Sequence, residues 1–267
     1  MTFAALVAVA IFAGIAGSMV GVGGGIVVVP ILTLVFDVPM KVAIATSLIC
    51  VIATSTAAQT VFVTKGMTNL RLGMALEIMT TLGAIAGGIT AVLVSGRILQ
   101  GVFAVVLVYV AYTMNRRGAD VEPVMTGVLE ASYDDPAAGR SVAYGVRRLK
   151  LGAGLSFFAG NISGLIGLGG GAFKVPIMNV IMGVPLKATI ATSNLMIGVT
   201  ASTGAVIFYG RGYVDVRYAV PTALGILAGA LLGPRLTVRL RSRTLSVFFQ
   251  VLLVVFAVLM AWDAVGL

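Results

Sequence analysis

The stretch GVGGGIVVVP, Gly21–Pro30, decides how the chain is read. It interrupts an apolar run, Phe3–Phe36, that is too long for one membrane span and short for two. Glycine is costly inside a helix, so the run breaks at Gly23, Gly24 and Gly25. The remainder, Ile26–Phe36, makes about 16 Å of helix at 1.5 Å per residue. That length reaches mid-bilayer and stops. The pattern predicts a helix, a turn inside the membrane and a re-entrant half-helix.

Working outward, the motif returns 146 residues later as GLGGGAFKVP, Gly167–Pro176. The same shift lays VPMKVAIATS, Val38–Ser47, on VPLKATIATS, Val184–Ser193. It also lays Gly66 on Gly212, Arg71 on Arg217, Gly83 on Gly229 and Gly87 on Gly233. Chance likeness between apolar runs does not hold Gly, Pro, Lys and Thr-Ser in register this far, so the chain is a tandem duplication. Further apolar runs fall at Val42–Thr64, Leu72–Val94, Ile98–Met114, Leu151–Met182, Ala188–Tyr209, Val216–Leu232 and Leu245–Trp262. The fold class expected is an all-α polytopic membrane protein. Its two tandem repeats, residues 1–114 and 149–267, have about four transmembrane segments each. The polar stretch 115–148 holds five of the nine acidic residues and reads as a partly disordered connector.

The composition points the same way. Hydrophobic residues make up 59% of the 267 and charged residues 10%, where a soluble domain carries about a quarter charged. Mean hydropathy is +1.10. Met1–Val20 lacks the basic start of a signal peptide and reads as mature protein. The net charge of +9 fits basic cytoplasmic loops, and no soluble basic stretch is long enough to suggest nucleic acid. With no His and one Cys, Cys50, the chain offers neither the usual catalytic base nor a metal, haem or disulfide set. No enzyme activity, metal or cofactor is expected.

Charge also orients the copies. If the first segment of each half crosses once, the copies run parallel, and the Arg-rich stretch 235–243 lies opposite the basic connector. If it turns back at the glycines, each half has an odd number of crossings and the copies are inverted. Thirteen basic residues, Arg117, Arg241 and Arg243 among them, then share one face, and Lys41, Arg97, Arg211 and Arg217 take the other. The positive-inside rule favours the inverted arrangement with the connector cytoplasmic.

Irregular backbone within a membrane is tolerated where it is buried in protein or lines a cavity. Gly23, Gly24, Gly25 and Gly169, Gly170, Gly171 are therefore candidate substrate-lining residues, each triplet opening a half-helix whose N–H groups favour an anion. Close helix packing is the competing reading of the glycines. Thr46, Ser47, Thr192, Ser193 and Asn194 join them as neutral donors suited to an oxyanion that must be released again. Such hydroxyls also bond their own helix four residues back. Lys174 stands where the first copy has Val28, a charge at a depth where charges are functional by default; it would contact an anionic substrate or snorkel toward water. Glu77 lies within a span and is a candidate for proton coupling, or for pairing with a basic residue. Gln59 and Asn161 are weaker polar candidates.

The pattern GxGGGxxxVP followed by VPxKxxIATS, once per half, resembles the TauE/SafE family of sulfite exporters, also called the 4-toluene sulfonate uptake permeases. The resemblance covers about residues 10–110 and 150–260 and excludes the connector. It implies a multi-pass transporter of the bacterial inner membrane for sulfite, thiosulfate or small organosulfonates. It also implies that the Gly-rich motifs and Thr-Ser pairs line the path. Asp37 and Lys174 are not part of that pattern and would mark a substrate preference. The function expected is secondary transport of a small sulfur-containing anion bound near the midplane, by alternating access. A passive anion channel and the membrane subunit of a larger assembly are the alternatives. The partners expected are the anion and the lipid bilayer; a homodimer is compatible with the sequence.

Overall fold

The computed structural model describes residues 2–21, 23–116, 127–135, 140–239 and 254–263. The chain begins α1 (Thr2–Val20), α2 (Gly25–Leu34), α3 (Met40–Thr64), α4 (Leu70–Leu93) and α5 (Gly96–Arg116). A hairpin of β1 (Val128–Asp135) and β2 (Arg140–Val146) follows. Then come α6 (Leu149–Ile166), α7 (Gly171–Pro176), α8 (Leu186–Gly210), α9 (Val216–Arg239) and α10 (Val254–Asp263). Among them α3, α4, α6, α8 and α9 are long and apolar enough to cross a membrane. The 146-residue shift carries α1 to α4 onto α6 to α9 in order.

Each half opens with a helical hairpin. The first turns through Gly21 and Gly23, at left-handed φ of 75° and 78°, where a β-carbon would strain the chain. α2 then runs back along α1. Gly24 faces the Ala13 carbonyl, and Val28, Ile31 and Leu32 share a small cavity with Leu6, Val9 and Ala10. The second hairpin turns between Gly167 and Gly170, and α7 with its extension returns until Met182 lies against Gly152. Pro30 and Pro176 sit inside the returning helices. Proline lacks an N–H and crowds the carbonyl four residues back. After Pro176 the ladder widens into a π-turn, Ile177–Ile181.

The halves exchange partners. α1 packs along α9, and α6 along α4. Small residues make this approach possible. A β-carbon on Gly83 or Gly87 would strike the carbonyls of Phe157 and Asn161 in α6, and on Gly229 or Gly233 those of Ile11 and Ile15 in α1. These four contacts are two pairs of equivalents under the same shift. It is the Asn161 backbone that Gly87 approaches.

At the centre α3 and α8 lie side by side. Leu48 is beside Gly204, Ser55 beside Gly198, and Gln59 Nε2 donates to the Ala191 carbonyl at 2.6 Å. Numbers rise along one helix as they fall along the other, so the pair is antiparallel. Lys41 Nζ donates to the Val92 carbonyl at 2.9 Å and lies 5.5 Å from the Tyr213 ring centre. At the opposite end the Arg147 N–H donates to the Met182 carbonyl at 3.0 Å. The loops near 35–41 and 210–216 therefore share one end of the bundle, and the connector and loop 183–187 share the other.

Where described, the connector is ordered, which its polarity alone does not suggest. It forms an antiparallel hairpin with a register shift between Val128 and Ala131. Tyr133, Tyr144 and Val146 are buried in one cluster with Phe62, Met67, Leu72 and Met182. Asn69 Nδ2 donates to the Leu129 carbonyl at 3.4 Å. Burial pushes the Tyr144 phenol up, with a hydrogen bond to Asn69 opposing. The acidic residues between these apolar positions mask the strands in a composition count. Asp37, which stood out from the family pattern, is exposed at φ 55° where its counterpart Gly183 has φ 73°. It is a turn residue, as Asp tolerates this conformation. Arg117, Arg241, Arg243 and the start of the Leu245–Trp262 run lie outside the described residues.

Candidate functional site

The Gly-rich tips of the two hairpins meet midway along the α3–α8 pair. β-Carbons on Gly23 and on Gly169 would each touch both Val51 and Ile197, which are themselves equivalent positions. Ser47 Oγ on α3 donates to the Gly167 carbonyl at 2.8 Å, and Ser193 Oγ on α8 donates to the Gly21 carbonyl at 2.8 Å. Each serine thus holds the tip of the other half. The carbonyls need this partner, since a turn between helices away from water leaves them no ladder N–H. Gly24, Gly25, Gly170 and Gly171 are buried beside these contacts, as are Thr46, Thr192 and Asn194. A β-carbon on Gly25 would press on Ser47 and on the Gly167 carbonyl.

The other donors are used unequally. Thr192 Oγ1 accepts from the Asn69 N–H at 3.0 Å, whereas its counterpart Thr46 has a buried Oγ1 with no partner among the described residues. Asn194 Nδ2 donates to the carbonyls of Ser18 and Ile190 at 3.3 and 3.0 Å, but its Oδ1 is unpartnered among the described residues. Ser163 Oγ is the third such atom. Sequence reading passed over Ser163. The available signal was a departure from the repeat, since its counterpart is Gly17.

A charged cluster lies behind the second tip. Lys174 is 1% exposed and Glu77 8%. Lys174 Nζ is 3.2 Å from Glu77 Oε2 and donates to Thr200 Oγ1 at 2.6 Å. Thr200 Oγ1 lies 2.6 Å from Glu77 Oε1 and 3.0 Å from the Met196 carbonyl, with one proton to donate to either, while Thr81 Oγ1 donates to Glu77 Oε1 at 3.4 Å. The lysine does not reach out to water: α7, α4 and α8 enclose it. The two charges singled out separately in the sequence neutralise each other across the repeat boundary. Removing one partner of such a pair strands a buried charge, at a cost of about 3–5 kcal/mol. Thr200 was hidden because its counterpart Thr54 is identical.

The equivalent place in the first half is apolar. Val28 stands for Lys174 and Ala223 for Glu77. Among the described residues Thr54 donates only back to the Cys50 carbonyl of its own helix, at 2.9 Å. The neighbouring cavity, about 10 Å³, is lined by Leu6, Val9, Ala10, Val28, Ile31, Leu32 and Thr222. No group of three or more His, Cys, Asp or Glu residues that could hold a metal occurs among the described residues.

The family model Sulfite exporter TauE/SafE matches residues 6–260. The probable membrane transporter protein YunE of Bacillus subtilis is 27% identical, with 99% of each chain covered. A probable membrane transporter protein of Methanocaldococcus jannaschii is 25% identical over 96% of this chain and 94% of its own. No solved structure matches the chain significantly. The match runs through both hairpins, the antiparallel pair and the exchanged helices; the chain belongs to the TauE/SafE family and is a multi-pass membrane transporter rather than an enzyme.

Proposed function

We propose that this chain is a secondary transporter of small sulfur-containing anions, sulfite, thiosulfate or organosulfonates, across the bacterial inner membrane. In this reading its halves are inverted repeats and its hairpins are re-entrant. The antiparallel run of the equivalent helices α3 and α8 supports the inversion, as does Lys41 beside Tyr213. A parallel arrangement would place those two residues on opposite faces. The observation that carries the reading is the reciprocal pair Ser47 to Gly167 and Ser193 to Gly21. It gathers two Gly-rich tips, two half-helix starts and two Thr-Ser pairs at one buried point.

Opening toward either face would separate a hairpin tip from the serine of the other half. A hydroxyl donor and a Gly-rich turn would then face the entering oxyanion, with Thr46 alongside. Neutral donors bind such an anion without the strength that would prevent release. The burial of every one of these residues favours alternating access over a passive channel. The test is binding to the detergent-purified chain of sulfite, thiosulfate, sulfate, taurine, sulfoacetate and methanesulfonate, followed by flux in liposomes holding this chain alone. Saturable flux with counterflow for at least one sulfur anion is expected. Non-saturating flux would establish a channel, and flux that needs an added partner would establish a subunit.

A further inference from the structure

We propose that Lys174, Glu77 and Thr200 form a proton–anion exchange site, in which a singly charged oxyanion displaces Glu77 from Lys174 and Glu77 takes up one proton. The inference rests on the transport reading above and adds the coupling ion, the stoichiometry and the charge of the substrate.

The geometry supplies the exchange partners. Lys174 Nζ already donates to two oxygens, Glu77 Oε2 at 3.2 Å and Thr200 Oγ1 at 2.6 Å. Ser163 is 1% exposed, and its Oγ lacks a partner among the described residues. A single point, the place a β-carbon on Gly170 would occupy, lies 3.2 Å from Lys174 Cε and 3.5 Å from Ser163 Oγ. An oxyanion entering at the second tip would therefore meet a fixed cation and an unused hydroxyl together. Around the pair, α4 contributes Glu77 and Thr81, α8 contributes Thr200, α6 contributes Ser163, and α5 contributes Tyr109, whose ring stacks on Phe173 at 5.0 Å. Among the described residues Lys174 and Glu77 are the charged groups enclosed here, and they form an ion pair.

Charge balance forces the coupling. The resting cluster is neutral. Adding an anion alone would leave a net negative charge enclosed by helices, which burial disfavours strongly. With a proton the balance is restored: Glu–COO⁻ paired to Lys–NH₃⁺, plus A⁻ and H⁺, gives Glu–COOH and Lys–NH₃⁺ paired to A⁻. The protonated carboxyl turns its new O–H toward Thr200, which becomes the acceptor. Release on the far side reverses each step, and Glu77 recloses on the lysine. A dianion would leave one uncompensated charge, so a sulfonate or hydrogensulfite is preferred to sulfate or thiosulfate. The first half cannot perform this exchange, because Val28 and Ala223 replace the pair.

The experiment uses the purified full chain in liposomes with an internal pH dye, with methanesulfonate as monoanion and sulfate as dianion. Two arms are read: counterflow without a pH gradient, and accumulation driven by one. The wild type is expected to show both for methanesulfonate, with about one proton entering per anion, and to favour it over sulfate at least 10-fold. E77Q should lose proton entry and gradient-driven accumulation to a much greater extent than it loses counterflow. E77A/K174V copies the chemistry of the first half, so it should fold where E77Q does not; it should weaken methanesulfonate binding at least 10-fold and show no proton entry. Gradient-driven uptake persisting in E77Q or in E77A/K174V would overturn the exchange site, as would equal handling of sulfate. Absence of counterflow in the wild type for every sulfur anion of the binding screen would overturn the transport reading itself.

Discussion

The places behind the two hairpin tips are built alike and filled differently. Behind the second tip Lys174, Glu77 and Thr200 form a buried charged cluster with Ser163 beside it. Behind the first, Val28, Ala223, Thr54 and Gly17 occupy the same positions, and the cavity is small and apolar. Even the threonines share a role: Thr54 and Thr200 both bond the carbonyl four residues back, at 2.9 and 3.0 Å. Only Thr200 gains a second set of partners. Both copies keep their glycines, prolines and serines, whereas the charged pair stands behind the second tip and not the first. The two halves share a frame and differ in what fills it.

The most damaging test attacks what the two regions share. Gly83→Leu and Gly229→Leu force a side chain into a backbone contact at equivalent places. Both should abolish the monodisperse peak in size-exclusion chromatography in detergent. Tolerance of one and not the other would break the structural equivalence. Next in size is the pair itself. Glu77→Ala strands Lys174 and should cost about 3–5 kcal/mol, read as a loss of unfolding midpoint in detergent. E77A/K174V should recover most of that loss, because the first half is stable with Val and Ala at these positions. Failure to recover would mean that the second half depends on its charges for folding.

Smaller effects sharpen the comparison at the tips. Ser47→Ala and Ser193→Ala each leave a buried carbonyl without its donor, for about 1–3 kcal/mol. The two losses should be equal in the same unfolding assay, since both bonds measure 2.8 Å. A clear inequality would show that the resting conformation favours one tip. Smallest in stability is Asn194→Leu, which restores the residue found at Leu48. It should shift stability by about 1 kcal/mol or less, yet weaken anion binding in calorimetry, because it removes an unpartnered buried acceptor and the amide beside it. Unchanged binding would remove Asn194 from the site.

Much of this was legible before the fold. The interruption at Gly23–Gly25, the 146-residue shift and the low charge predicted a duplicated helical membrane protein with broken opening helices. The hairpins turn at Gly21 and Gly23 and again at Gly167, Gly169 and Gly170 because glycine adopts the left-handed backbone there cheaply. Departures from the repeat also pointed to Lys174, and the depth of Glu77 pointed to a role. The strands of the connector were less visible. Three acidic residues, Glu130, Asp134 and Asp135, lie in β1, and a composition count over the connector averages them with the buried Tyr133, Tyr144 and Val146.

What the sequence by itself determined is local and periodic: where helices run, where they break, and which positions correspond between halves. These follow from backbone strain, proline geometry and the cost of charge in lipid, all of which act on a few neighbouring residues. Tertiary structure alone decided the partners. That α1 pairs with α9 and α6 with α4, that Ser47 holds Gly167, and that Lys174 meets Glu77 97 residues away depend on how the halves interlock. No local pattern encodes those distances. The neutrality of the buried cluster is likewise a property of the packed bundle, since among the described residues each charge finds its counter-charge in the other repeat.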